Sequence, residues 1–278
     1  MAKPVGRITR GTTGVNRLRR VDRWIATQPA ARVPGCLVVD LGYGASATTS
    51  LELHERLARG NPGVEVLGLE IDPERVALAT AELAAARAAG PERYGRAIAA
   101  DARVSFARGG FEVPAPRRPH VIRAMNVLRQ YDEAEVAGHW ATMLARLAPG
   151  GLLVEGTSNE VGRVASWVAL DAGGPRSLTI ALKVDELGTE PSPAPSVVAE
   201  RLPKALIHRN VPGERIHALL VDLDRAWATH APLADLSATQ RWVASVGALR
   251  AAGWPVAGGP ARWRLGELTL AWSAVAPA

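Results

Sequence analysis

The chain has 278 residues, 47% hydrophobic and 22% charged, with mean hydropathy near zero, which suits a globular α/β core with a modest addition. No apolar run reaches the roughly 18 residues of a membrane span. The first fifteen residues lack the apolar stretch of a signal peptide, and the single cysteine, Cys36, excludes an intrachain disulfide and fits a cytoplasmic protein. The net charge of +6 sits entirely in residues 1–23, where Lys3, Arg7, Arg10, Arg17, Arg19, Arg20 and Arg23 face only Asp22.

Residues 1–32 read as a basic N-terminal arm and helix. Gly11-Thr-Thr-Gly14 separates the tail from a helix predicted over about 15–28, with Thr12 and Thr13 as candidate caps. Val15, Leu18, Val21, Trp24 and Ile25 recur at three- to four-residue spacing and form its apolar face. Arg17, Arg20 and Arg23 share another side. Facing outward, they form a candidate nucleic-acid-binding surface, since each neutralised phosphate releases counterions, and RNA is the partner that surface suits. An ordinary solvated helix face carries the same pattern.

Residues 33–184 alternate between apolar strands and helices, as in a doubly wound, mostly parallel sheet. Strands are expected at 36–40, 64–70, 95–100, 119–125 and 151–157, and helices at 46–59, 73–89 and 132–147. Pro73 at the first helical position, flanked by Asp72 and Glu74, is a favoured helix start. Residues 163–170 and 177–184 read as a hairpin about Asp171-Ala-Gly-Gly-Pro175. Pro191-Ser-Pro-Ala-Pro195 reads as a linker within a helical insertion, 185–265, and residues 266–278 as a final strand rejoining the core. Trp227, Trp242, Trp254, Trp263 and Trp272 read as aromatic core, and the six histidines show no metal spacing, so no metal is expected.

Chemistry concentrates at two strand ends. Leu37-Val-Val-Asp40-Leu-Gly42-Tyr43-Gly44-Ala-Ser46 runs from a strand through a glycine turn into a helix, and Val64-Glu-Val-Leu-Gly-Leu-Glu70-Ile71-Asp72-Pro73 is a strand ending on a carboxylate. Glycines admit a ligand that a Cβ would push away. A carboxylate at the neighbouring strand end accepts from both hydroxyls of a ribose. Together they describe a pocket for an adenosine-containing cofactor. Gly42-x-Gly44-x-x-Ala47 also satisfies the dinucleotide fingerprint. Asp40 argues against that reading, because a carboxylate there repels a pyrophosphate and suits an ammonium and a sulfonium.

The first stretch resembles the first motif of class I S-adenosylmethionine (SAM)-dependent methyltransferases, and Gly68-Leu-Glu-Ile-Asp-Pro73 resembles their second. The resemblance covers about residues 33–160 and implies a Rossmann-like methyltransferase sheet with an antiparallel final strand. It implies that Asp40 lies near the methionine amino group, that Gly42, Tyr43 and Gly44 border the cofactor, and that Glu70, with Ile71 beside it, holds the ribose. It places Asp101 at the adenine amino group and Asn126, at the end of the fourth strand, before the transferred methyl. Arg129 and Tyr131 on the next loop are candidates for orienting the substrate. Ser46 reads as a helix cap, and Arg123, within a buried strand, requires Asp40 or Glu155 as partner.

No Asn/Asp-Pro-Pro-aromatic motif stands at that strand end, and no Cys-x-x-Cys pair exists to hold an iron–sulfur cluster. The leading expectation is a SAM-dependent methyltransferase that engages RNA through its arm. The alternatives are a methyltransferase of a small molecule, lipid or protein, an NAD(P)-linked oxidoreductase, and a non-catalytic SAM-binding module. Glu155, or His208 or His217 from the insertion, would supply a base if the acceptor needs one.

Overall fold

A computed structural model describes residues 3–89, 101–188 and 194–277. The chain divides into two compact units, the first comprising Met1–Glu155, Glu160–Gly162 and Leu170–Gly174, the second the remainder.

The first unit holds β1 (Leu37–Leu41), β2 (Glu65–Glu70), β3 (Val104–Arg108), β4 (Val121–Met125) and the start of β5 (Leu152–Ser158), in the order β3-β2-β1-β4-β5. β1 pairs in parallel with β2 and β4, and β2 with β3. β1 and β4 are buried at every residue, as expected of central strands covered on both faces. The helices are α1 (Arg19–Ile25), α2 (Thr48–Ala58), α3 (Pro73–Ala89) and α4 (Glu133–Leu144). α3 begins on Pro73, where Asp72 Oδ1 accepts from the Glu74 N–H at 2.9 Å. α4 begins on a capping box formed by Asp132 and Glu135. Because β1 lies between β2 and β4, the strand order reverses at its C-terminal end, which is where an open α/β sheet places its crevice.

One expectation shifts and another lies outside the described residues. The first helix spans Arg19–Ile25 rather than 15–28, because Asn16 has a left-handed backbone (φ 63°) and the residues before Arg19 form turns. Val15, expected on the apolar face, is 67% exposed. The strand expected at 95–100 lies outside the described residues, and the third described strand is 104–108.

The second unit contains β6 (Val164–Asp171), β7 (Gly174–Leu182), β8 (Val256–Ala257) and β9 (Glu267–Ala271), in the order β6-β7-β9-β8. Helices α5 (Lys204–Ile207), α6 (Arg215–Thr229), α7 (Ala238–Ala251) and α8 (Pro260–Trp263) accompany them. The last strand is antiparallel, as expected, but its partners are β7 and β8, with the Thr179 and Thr269 hydroxyls 2.9 Å apart. Residues between β7 and β9 supply helices α5–α8 and the short strand β8, a helical insertion ahead of an antiparallel final strand. Ile216, Leu219, Leu220 and Leu223 bury one face of α6, and Ser237 caps α7 by accepting from the Gln240 N–H. Of the five tryptophans expected in the core, Trp227, Trp242 and Trp263 are buried while Trp254 and Trp272 are half-buried, and Trp167 is buried as well. Of the proline-rich linker, residues 191–193 lie outside the described residues, while Pro195 is buried at the start of a 3-10 turn.

Candidate cofactor site

The glycine turn after β1 requires its glycines. Gly42 and Gly44 have φ of 69° and 94°, a region that side chains other than glycine rarely enter. The Gly42 N–H donates to Leu69 O at 2.7 Å, and the Gly44 N–H donates to Glu70 Oε2 at 3.2 Å. The other Glu70 oxygen accepts from the Ile71 N–H at 2.9 Å. Burial pushes the Glu70 carboxyl above its ordinary pKa, against the Ile71 N–H, the Arg75 guanidinium 3.7 Å away and the Gly44 N–H. The structure thus brings Gly42, Gly44, Glu70 and Ile71 together at one end of the sheet. Tyr131 joins them, and Gly109-Gly110-Phe111 after β3 and Val127 after β4 complete the walls. Sequence reasoning missed that last group. The Gly109-Gly110 pair was the available signal, hidden because the third strand was expected earlier in the chain.

Asp40 points elsewhere. It pairs in register with Arg123 of β4, and the guanidinium holds it through Nη2–Oδ2 at 2.5 Å and Nε–Oδ1 at 3.0 Å. Ser50 Oγ donates to it at 2.7 Å. A buried guanidinium needs a carboxylate, so Asp40 serves Arg123 rather than the methionine amino group. Arg123 also pairs with Asp22, which Arg56 contacts at 2.5 Å. Burial opposes the Arg123 charge, but Asp22 and Asp40 outweigh it and hold its proton more tightly than usual.

Other expected residues are also relocated. Tyr43 turns away from the crevice and donates to Arg75 O at 3.2 Å, edge-on to Phe106 with ring centroids 5.0 Å apart. Asp101 is exposed and precedes β3 by three residues, at the end of the sheet opposite Glu70, so it does not border the crevice. Asn126 ends β4 in the left-handed region (φ 63°), which asparagine tolerates. Arg129 is exposed on the following 3-10 turn. Arg17 is buried and donates to Thr12 O, and Arg20 is half-buried, so only Arg23 of the expected outward trio is exposed. Glu155 is fully buried, and burial pushes its pKa up to about 8, with Trp140 opposing.

The α2 N-terminus distinguishes between cofactors. A dinucleotide's pyrophosphate occupies such a helix start. Here Glu82 Oε2 from α3 accepts from the Ala47 N–H at 2.6 Å, and Ser46 Oγ accepts from the Thr48 N–H at 3.3 Å. The anion position is already answered by a carboxylate.

Residues 5–13 lie over this crevice. A Cβ on Gly42 would come within 3.7 Å of Thr9 Cγ2, and one on Gly44 within 2.8 Å of Thr13 Cγ2 and 3.2 Å of Gly11 O. The cavity left between this segment and the glycine turn is about 10 Å³, room for about one water molecule. The residue types fit an adenosine cofactor, but the room is filled by the chain's own N-terminal segment. No group of three or more metal-ligating side chains occurs among the described residues, and no described helix is long and apolar enough to cross a membrane.

No family model matches the chain, and no curated protein matches it. Among solved structures it is similar to the mitomycin 7-O-methyltransferase MmcR at 21% identity, covering 50% of this chain and 35% of that one, with a TM-score of 0.36. It is similar to magnesium protoporphyrin IX methyltransferase from Synechocystis PCC 6803 with bound S-adenosylhomocysteine (SAH), at 18% identity over 50% and 53%, TM-score 0.34. It is also similar to precorrin-6Y C5,15-methyltransferase from Geobacter metallireducens GS-15, at 13% identity over 55% and 68%, TM-score 0.34.

Proposed function

We propose that this chain is a SAM-dependent methyltransferase whose cofactor crevice lies at the C-terminal ends of β1, β2 and β4. The observation that carries the reading is Glu70 joined to the Gly44 N–H beside a helix start already answered by Glu82. That arrangement offers acceptors to a ribose and a cationic cofactor and repels a pyrophosphate. It replaces the argument from Asp40, whose charge Arg123 neutralises.

When bound, SAM supplies an electrophilic methyl on a sulfonium. The protein's contribution to such a displacement is alignment of the acceptor with that carbon. Glu70 holds the ribose through its carboxylate, while Gly42 and Gly44 allow close backbone approach. Asn126 stands at the end of β4, where an acceptor would be presented, and the 3-10 turn carrying Arg129 borders it. Glu155 does not line the crevice, which leaves alignment of an already nucleophilic acceptor as the main task. Titration calorimetry tests the reading directly. SAM and SAH should bind with micromolar-range affinity and NADH should not bind; heat from NADH with none from either SAM species would reverse it.

RNA is the acceptor or partner favoured by one specific surface. Arg19 and Arg23 on α1 meet Arg56 and Arg59 on α2 around a depression of about 310 Å³. Arg56 pairs with Asp22 and Glu52, and Arg59 with Glu55. Arg19 and Arg23 have no ion pair with any described residue. Burial, and then repulsion from Arg19, Arg56 and Arg59, weaken the Arg23 guanidinium's hold on its proton. Phosphates placed there would relieve that repulsion.

A further inference from the structure

The N-terminal segment crosses the crevice as an extended strap rather than as a packed element. The Phe111 N–H donates to Val5 O at 2.9 Å, and the Val5 N–H donates to Glu112 Oε2 at 2.7 Å. Farther along, Gln130 Nε2 donates to Arg7 O at 3.0 Å, and Arg75 Nη2 donates to Thr9 O at 3.0 Å. The Ala45 N–H donates to Gly11 O at 3.0 Å. All five of these bonds engage the strap's backbone. Its own apolar side chains bury little, with Val5 46% and Ile8 52% exposed. A segment held by hydrogen bonds at the surface, without buried apolar contacts, belongs to the low-stability end of a fold.

The far end is fixed differently. The Asn16 N–H donates to Glu52 Oε1 at 2.9 Å, and Arg56 Nη2 donates to Asn16 Oδ1 at 2.8 Å, tying it to the buried charge network. Between the two lie Gly11, with φ 75°, and Gly14. Glycine is free to take up the backbone change of a hinge.

We propose that residues 5–13 are a strap that occupies the cofactor crevice and must leave it for the cofactor to enter, making strap release and cofactor binding one coupled equilibrium. The proposal rests on the cofactor reading above. Its ground is spatial. The face that Gly44 clears for a ligand is covered by Gly11 and Thr13, Thr9 lies 3.7 Å from the face at Gly42 that Val127 also fills, and the remaining cavity of about 10 Å³ compares with the roughly 300–1,000 Å³ of ligand pockets. A protein whose binding-competent state is only fractionally populated shows an affinity reduced by that fraction. Loosening the strap therefore strengthens binding, the opposite of what a stabilising wall of the site would do.

Glu112→Ala combined with Gln130→Ala removes two anchors, and neither residue lines the crevice. In stopped-flow mixing with SAH, the wild-type observed rate should level off at high ligand, set by strap opening. The double variant should reach a higher plateau and bind about threefold to tenfold more tightly. Equal plateaus with equal affinity, or weaker binding by the variant, would overturn the strap while leaving the cofactor reading intact. No SAH binding by either protein would defeat the cofactor reading itself. Limited trypsin digestion of the unaltered protein provides an independent readout, because Arg7 and Arg10 are exposed on the strap. Saturating SAH should accelerate cleavage there; unchanged or slower cleavage contradicts displacement.

Discussion

The charge network beneath the crevice and the arginine surface on α1 and α2 draw on the same stretch of sequence and end in opposite states. Beneath the crevice, Asp22, Arg56, Arg123 and Asp40 pair with one another and are almost fully buried. On the surface, Arg19 and Arg23, whose positions flank Asp22 and Arg20 along α1, face a depression whose Glu55 pairs with Arg59, and neither makes an ion pair with any described residue. A cation that is buried and paired serves the fold, and one left unpaired at the surface is available to a partner. The formal charge of residues 1–23 contains both kinds, so charge alone does not measure a binding surface.

The comparison breaks most severely at Asp22. Asp22→Asn leaves Arg123 and Arg56 short of a counter-charge in a buried site, and chemical denaturation should show a loss of about 3–5 kcal/mol. A much smaller loss would mean that the network is solvated and the contrast false.

Glu155 sharpens the same point, since it is a buried carboxyl with no ion pair to any described residue. Its folded pKa of about 8 lies above its unfolded value, so its contribution to stability is fully present below the unfolded pKa and is lost as pH rises toward 8. From the ordinary carboxylate range to pH 7 the loss is on the order of 3 kcal/mol. Glu155→Gln should flatten stability over that window, and an unchanged pH profile would show the group to be solvated or paired.

Glu70→Ala should weaken SAH binding by roughly one to two decades with unfolding behaviour preserved, since a ligand donor then lacks its acceptor. The smallest effect on the fold belongs to the surface. Replacing Arg19, Arg23 and Arg59 with alanine should change stability by less than about 0.5 kcal/mol. The same variant should flatten the salt dependence of RNA binding by up to about three units of slope. A parental salt slope would remove RNA from that surface, whereas Arg17→Ala should damage stability instead, because Arg17 is buried.

Much of the first unit was legible because its strands are apolar runs and its turns are punctuated. Leu37–Leu41 into Gly42-Tyr-Gly44 and Glu65–Glu70 into Asp72-Pro73 stand where the pattern puts them. The need of Arg123 for Asp40 was legible too, but not its consequence, since a register partner on the next strand is invisible to local spacing. Asp101 was misplaced because the strand that pairs with β2 begins after it, at Val104, so Asp101 precedes a strand start. The strap escaped notice for a different reason. Gly6, Thr9, Gly11 and Thr13 carry no periodicity, and their placement depends on backbone hydrogen bonds from residues more than thirty positions away. The final strand was recognised as a strand, but which strands it would pair with is set by tertiary contacts that a one-dimensional pattern does not encode.

The central claim is that the crevice at the ends of β1 and β2 is a SAM site. Ultraviolet crosslinking of methyl-labelled SAM to the full chain, followed by peptide mapping, tests it most directly. The account predicts label on peptides containing Gly42–Gly44, Glu70–Ile71 or Phe111, chased by unlabelled SAH and not by NADH. Label confined to other peptides, or chased by NADH and not by SAH, would contradict it.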